Sequence, residues 1–501
     1  NEKGAALVKQ VEAEGASLLT NIDKALPLAK GAKVSLFSTS SVNIVYGGTG
    51  SGNVDASKCK NLKQALEENG GFQVNQTLWD FYLTVENEEG ELFTRGNAGA
   101  VVQDSATASG YGSAEIVEVP WKYYTEDILK SIENYGDAAI VVLSRIGGEG
   151  ADSYFDHTLG NGKNYLALND VEREMMTNVK KLKDAGKIGK IIVLINTSNA
   201  LQVDFLKNNE FGVDATLWIG GTGQTGLEAV AEILNGTVNP SGGLADTYCF
   251  DNYAHPVMQN FTPIQYGGDL TKIPGHADTY MIYQEGIYVG YKYYETRYED
   301  YVLGQGNAGN YNYLADVKYP FGYGLSYTTF EYSDFAVVEN ADSFDVTVTV
   351  TNTGNYDGKE VVEVYFQSPY TDYDKENGIE KAAIELCGFA KTDVLAKNGG
   401  QETVTINVPK KELRTYDANN AKTYILDAGD YYFAVGRDAH DALNNVLAAK
   451  GANASKMTAA GDAAFTFLWN NPELDTTTFA VKWFRICNYK PVRISKHQSF
   501  E

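Results

Sequence analysis

The sequence predicts an α/β domain with a mainly parallel sheet, followed by an all-β sandwich. Three observations predict it. Over the first 250 residues short β-branched runs alternate with amphipathic stretches, and after residue 330 the pattern changes to period-two alternation. The third is size: 501 residues, 43% hydrophobic and 21% charged, suffice for about three packed domains.

Strands are expected at 33–38, 72–77, 138–144, 190–196 and 215–220, and helices at 61–68, 125–134, 170–185 and 226–234. Thr125 and Asp170 stand where N-caps belong, ahead of acidic first-turn residues. Strict alternation of strand and helix predicts helices on both faces of the sheet, and function in the loops at the carboxyl ends of its strands. From 248 to about 327 the pattern turns irregular and rich in Tyr and Gly, as in Gly286-Ile-Tyr-Val-Gly-Tyr-Lys-Tyr-Tyr294, and reads as a long ordered connection. Beyond Phe330, the residues Phe344, Val346, Val348 and Val350 share one face, and Val362, Val364 and Phe366 repeat the device. Further strands at 402–408 and 430–436 complete a β-sandwich of about 120 residues, similar to a fibronectin type III module. The expected division is 1–327 for the α/β part with its connection, 328–450 for the sandwich, and 451–501 for a linker and a basic tail.

Composition excludes several classes. A net charge of −24 repels a phosphate backbone, so nucleic acid is not an expected partner. The longest apolar runs, at 138–143 and 191–195, fall far short of the ~20 residues that span a bilayer. Cys59, Cys249, Cys387 and Cys487 are scattered, without a CxxC pair or a nearby His at ligand spacing, so they read as reduced packing residues and no metal or cofactor is expected. Residue 1 is Asn, with no charged and apolar leader after it, which leaves cytoplasmic, periplasmic and secreted locations open. Residues 481–501 carry net +4, read as a solvated end.

Several motifs bear on chemistry. Gly221-Thr-Gly-Gln-Thr-Gly226, with Asp246 twenty residues on, has the form of a dinucleotide fingerprint. Its strand comes late in the alternation, however, and turn residues 239–243 precede Asp246, so tight strand-to-helix packing is the better use of its glycines. Gly47-Gly-Thr-Gly-Ser-Gly52 lacks the Lys of a phosphate cradle and reads as a loop over a ligand site, with Gly48 and Ser51 as candidate contacts. Asp156-His157 reads as a surface pair, and no GxSxG elbow occurs. More specific is Val142-Leu-Ser-Arg-Ile-Gly-Gly-Glu-Gly-Ala-Asp152, where a buried strand ends in Arg145 and then presents Glu149 between glycines. A general acid would belong there, although by composition alone this is an ordinary acidic loop.

Many segments in one order carry a resemblance. They are Glu14 to Asn21 with Ala25-Leu-Pro-Leu28, Gly47 to Gly52, Ser144 to Gly150, Gly221 to Gly226 with Asn239-Pro-Ser-Gly242, Tyr283 to Tyr294, and Phe321-Gly-Tyr-Gly-Leu-Ser-Tyr-Thr-Thr-Phe330. Asn352-Thr-Gly354, 386–389 and Ala428-Gly-Asp-Tyr431 follow. Over about residues 14–450 the chain resembles glycoside hydrolase family 3, the β-glucosidase family, with its α/β-sandwich and fibronectin-like domains. The resemblance implies a retaining β-glycosidase acting on terminal β-linked glucose or xylose in cellulose or hemicellulose breakdown. Glu149 would be its acid/base, with Arg145 and Asp152, Gly48 and Ser51 around the substrate loops. The family's nucleophile is an Asp on a (β/α)8 barrel, and nothing of that barrel matches here. Asp334, in Tyr332-Ser-Asp-Phe335, reads as a strand-edge residue, so the nucleophile is unknown. Two accounts fit: a permuted domain order in which Leu474-Asp-Thr-Thr-Thr-Phe479 leads toward the barrel, or a barrel supplied by a separate chain or another copy. The rival readings are a non-catalytic carbohydrate-binding or barrel-docking protein and, third, a dinucleotide-binding oxidoreductase.

Overall fold

The computed structural model describes residues 2–48, 52–93, 101–103, 114–147, 164–261, 264–265, 279–280 and 282–481. A six-stranded sheet organises the first part: β1 (Ser17–Asn21), β2 (Lys33–Phe37), β3 (Gln73–Val74), β4 (Ala138–Arg145), β5 (Ile191–Thr197) and β6 (Ala215–Trp218), in the order β1-β6-β5-β4-β2-β3. All neighbours are parallel except β1, which runs antiparallel to β6 along the edge. Every residue of β4 and β5 is buried, because helices cover both faces.

The period of two sorts the core. Ala139, Val141 and Leu143 share a core with Met175, Met176 and Val179, whereas Ala138, Ile140 and Val142 pack with Leu227, Val230 and Ile233. The first face carries α3 (Gln76–Thr84), α4 (Glu126–Asn134) and α5 (Asp170–Asp184); the second carries α2 (Leu62–Glu68) and α6 (Gly226–Leu234), with α1 (Glu2–Gly15) against α6.

Two local expectations change. The run 72–77 yields only a two-residue strand, since Asn75 Oδ1 accepts from Leu78 N (3.1 Å) and starts α3. The N-cap of α5 is Asn169, not Asp170. Asn169 Oδ1 accepts from Glu172 N (2.8 Å) while Glu172 Oε2 accepts from Asn169 N (2.9 Å), a reciprocal capping box. Thr125 caps α4 as expected.

The Tyr-rich stretch holds more than a connection. It contains α7 (Pro256–Asn260) and α8 (Tyr291–Leu303), the latter closed by Gly304 in the left-handed conformation at φ +69°. Tyr294, Tyr298 and Val302 of α8 are buried against Ala442, Leu443 and Val446 of α9 (Ala439–Ala449). Two antiparallel sheets are built from strands that lie between these helices in sequence and one that follows α9. One is β7 (Phe330–Glu339), β8 (Ser343–Asn352) and β11 (Gln401–Pro409), ordered β7-β8-β11. The other is β9 (Val361–Gln367), β10 (Glu385–Lys391), β12 (Gly429–Gly436) and β13 (Thr466–Asn471), ordered β10-β9-β12-β13. Phe344, Val348, Val364 and Phe433 meet in their shared core. Its edge strand β13 comes from the stretch expected as linker, because Trp469 there packs on Phe344 and Tyr431. No helix among the described residues is long and apolar enough to cross a membrane.

Candidate active site

The carboxyl ends of the parallel strands are drawn together by one side chain. The apolar run of β5 ends in Asn196, fully buried, whose Oδ1 accepts from Val45 N (2.8 Å) and Ser144 Oγ (2.7 Å). Its Nδ2 donates to Val45 O (2.9 Å) and Gly220 O (2.6 Å). One amide therefore joins the turn leading to Gly47 and Gly48, the end of β4 and the turn after β6. Gly223 N, at φ +61°, donates to Tyr46 O (2.8 Å) and tightens the same junction. Gly47 admits no side chain: a Cβ there would lie 2.8 Å from Gly52 O. Gly48 is half-buried, and Ser51 lies outside the described residues.

Arg145, the last residue of β4, has a side chain sealed from solvent, and all five of its donors are used. Nη1 donates to Glu172 Oε1 (3.0 Å) and Ser144 O (2.8 Å), Nη2 to Glu172 Oε2 (2.9 Å) and Ala167 O (2.6 Å), and Nε to Tyr165 O (2.6 Å). The chain leaves this point at Gly147 and returns at Asn164, so Arg145 holds the returning limb. Tyr165 closes the same base, its hydroxyl accepting from Ile146 N (2.8 Å) and donating to Ile146 O (2.9 Å). Burial pushes that hydroxyl up to about 12, so it stays protonated. Glu149, Asp152, Asp156 and His157 lie outside the described residues. Arg145 thus has no donor left for a ligand.

Beneath the turn after β2 sits Glu118, buried, accepting from Val119 N (2.8 Å) and Thr39 N (3.2 Å). Burial raises its carboxyl to about 7. Beside Gly147 a cavity of about 550 Å³ opens, lined also by Asn199, Asp246, Cys249, His255 and Tyr294. Burial lowers the pKa of His255, which keeps the ring neutral at physiological pH. Asp334 is far from the sheet edge in the topology: it occupies a β-bulge of β7 at φ +53°, exposed.

The glycine turn before α6 serves packing. A Cβ on Gly223 would lie 2.9 Å from Val8, and one on Gly226 would lie 3.2 Å from Glu12 Oε2. A carboxyl of α1 therefore stands at the helix N-terminus, where a pyrophosphate would have to sit. Burial raises Glu12 to about 8. Among the described residues no group of three or more His, Cys, Asp or Glu is placed to hold a metal ion.

Sequence reasoning passed over Asn196, Glu172 and Tyr165. The signal for Asn196 was a polar side chain ending a run of five apolar ones, and for Glu172 the string Asn169-Asp-Val-Glu172, a capping-box pattern.

The glycosyl hydrolase family 3 C-terminal domain matches residues 16–291. The chain belongs to glycosyl hydrolase family 3. A fibronectin type III-like domain matches residues 360–439, as the period-two pattern indicated. A beta-glucosidase of Ruminococcus albus is 31% identical over 442 residues, covering 86% of this chain and 39% of that protein. Beta-glucosidase A of Butyrivibrio fibrisolvens is 29% identical over 483 residues, covering 88% and 50%. The structure of beta-glucosidase 3B from Thermotoga neapolitana in complex with alpha-D-glucose superposes with a TM-score of 0.68 at 27% identity, over 95% of this chain and 55% of that one. This family 3 chain thus spans about half the length of the relatives it matches.

Proposed function

We propose that this family 3 chain is the acid/base-bearing part of a retaining β-glycosidase that hydrolyses terminal β-linked glucose or xylose. The observation that carries the reading is the family match running through the segment after β4, where Glu149 stands between glycines in sequence beyond an Arg145 whose donors are all spent, two of them on the returning limb at Tyr165 and Ala167. Arg145 and Asp152 are positioning residues in this reading, and Gly48 and Ser51 belong to the facing loop.

In such a reaction one carboxylate attacks the anomeric carbon while a second, about 5–5.5 Å away, protonates the departing glycosidic oxygen. The second group, Glu149, then removes a proton from the water that releases the glycosyl-enzyme. No carboxylate in this chain has a motif to recommend it as nucleophile. A (β/α)8 barrel, in the same longer chain, in a separate one or in another copy, would supply it.

Glu149→Gln in the barrel-complemented enzyme tests the assignment. Hydrolysis of glycosides with poor leaving groups should fall by roughly 10²–10⁴-fold while activated aryl glycosides are spared, since only the former need protonation. External azide, which needs no general base, should partly restore turnover. Equal loss on both substrate classes would overturn the role. The 501-residue chain alone should be nearly inactive on a chromogenic β-glucoside. Ordinary enzymic rates would instead point to a nucleophile within it, to be sought at Asp152, Asp156 and Asp246.

A further inference from the structure

A second cavity, of about 430 Å³, opens between β7, the end of β12, α9 and the turn Ala463–Phe465. Its size falls within the roughly 300–1,000 Å³ usual for small-molecule sites. Asn445 on its wall is committed to structure: Nδ2 donates to Val435 O (2.9 Å) and Oδ1 accepts from Asp462 N (2.7 Å). The groups left over face the opening. Arg437 is exposed, and its guanidinium makes one hydrogen bond among the described residues, Nη2 to Phe330 O (3.0 Å), with no carboxylate in ion-pair range. Its charge also acts on the buried Glu360, whose carboxylate form it favours without an ion-pair contact among the described residues.

Around it stand three carboxylates. Asp441 uses Oδ2 to accept from Arg437 N (3.0 Å), and Asp462 uses Oδ1 to accept from Ala464 N (2.9 Å), so each has a second oxygen to offer. Glu331 is exposed at the rim. Tyr332 and Phe465 supply aromatic walls, their ring centroids 6.4 Å apart at 78°.

The mixture of signs selects the ligand class. A phosphate would face three carboxylates, and a metal ion would face the guanidinium. A neutral polyhydroxylated ligand meets both: its hydroxyls donate to the carboxylates and accept from the guanidinium, both charge-assisted bonds, while its C–H face lies on the rings. We infer that this cavity is a saccharide-binding site, taking one or two pyranose units of a neutral oligosaccharide, apart from the candidate active site at the sheet edge.

Titration calorimetry of the full chain with cellobiose tests the site, with inorganic phosphate and calcium as charge probes. The expected result is saturable cellobiose binding that weakens about tenfold or more in both Arg437→Gln and Phe465→Ala. Phe389→Ala, which removes an exposed ring of β10 that does not line the cavity, should bind like the parent. If Phe465→Ala fails to fold, Arg437→Gln decides, since its side chain is exposed. Binding that is absent, that is insensitive to these variants, or that occurs with phosphate or calcium instead, would overturn the inference. Glu149→Gln should leave the affinity unchanged, so this site stands or falls apart from the acid/base reading.

Discussion

Substituting Glu172 by Gln should cost the fold dearly, although the two side chains have nearly the same shape. Arg145 and Glu172 have side-chain exposures of 0% and 2%, and they share two parallel bonds of 3.0 and 2.9 Å. The substituted amide would keep one acceptor, but its NH₂ would face a guanidinium donor, and the positive charge would remain without a counter-charge in the interior. Removing one partner of such a buried pair costs about 3–5 kcal/mol. With one acceptor retained the lower figure applies. At about 2–4 °C per kcal/mol for a unit of 150–250 residues, the melting midpoint should fall by roughly 6–12 °C. Scanning calorimetry measures it, and salt separates the cause. At 1 M ionic strength the Debye length is about 3 Å, which erases exposed pairs such as Lys180 with Asp184 but leaves a sealed one untouched. The loss should therefore be the same at low and high salt. A midpoint within about 2 °C of the parent, or a deficit that vanishes in salt, would refute the reasoning.

Asn196→Ala should destabilise by at least about 2 kcal/mol, because Val45 N–H, Val45 O and Gly220 O lose partners in a buried place where each orphan costs about 1–3 kcal/mol; urea unfolding checks it. Stability should fall as pH rises from about 4.5 to about 7. Burial raises Glu118, Glu360, Glu363 and Asp438 to about 7, so the fold keeps protons that the unfolded chain sheds in that window. Glu12, raised to about 8, acts in the same direction, while His255, its pKa lowered, works the other way but is one group against several. A calorimetric midpoint that climbs between pH 5 and 7 would count against this account, and Glu118→Gln should flatten the slope. Glu14→Gln should weaken the joint between α1 and the sandwich, where its carboxylate takes Lys359 Nζ (2.6 Å) and Lys391 Nζ (2.8 Å); half-exposed pairs of this kind are worth up to about 1 kcal/mol each, a drop of a few degrees at most.

What was legible in the sequence followed from local rules. The runs behind β4, β5 and β6 are read from continuous apolar character, and β8, β9, β11 and β12 from period two, because burial on two faces or on one leaves these marks residue by residue. What was not legible depends on partners distant in sequence. Strand β1 is set by pairing with β6 nearly 200 positions away, and α8 by a core it shares with α9. The same limit applies to the candidate site. Position and glycine flanks draw attention to Glu149, and Arg145 stands out as a charge closing a buried strand. Nothing local says that Arg145 turns inward to Glu172, or that Asn196 joins three loops, since both facts need the folded strand order.

The Tyr excess is explained by a junction rather than by the sheet edge. Tyr313 donates to Glu295 Oε1 (2.6 Å), and the other oxygen of this fully buried carboxylate meets His440 Nδ1 (2.8 Å). His440 Nε2 in turn meets Thr458 Oγ1 (2.6 Å), while Tyr313 stacks on the imidazole at 3.7 Å. These groups come from α8, the short helix Tyr313–Asp316 that follows it, α9 and the segment beyond α9, so the network closes only when the Tyr-rich stretch and the sandwich are both in place. A buried polar network is worth little in net stability but penalises every arrangement that leaves a member unpaired. Separating the two parts would strand Glu295 and expose Ala442, Leu443 and Val446 together. On another surface Glu14 binds Lys359 and Lys391 of the sandwich. The sandwich is therefore attached to the rest of the chain at separate places, among them a sealed junction that combines apolar packing with a buried polar network and an ionic, half-exposed one. Two separated attachments oppose rotation about either, so the sandwich, and with it the cavity around Arg437, keeps a defined orientation to the carboxyl ends of the parallel strands.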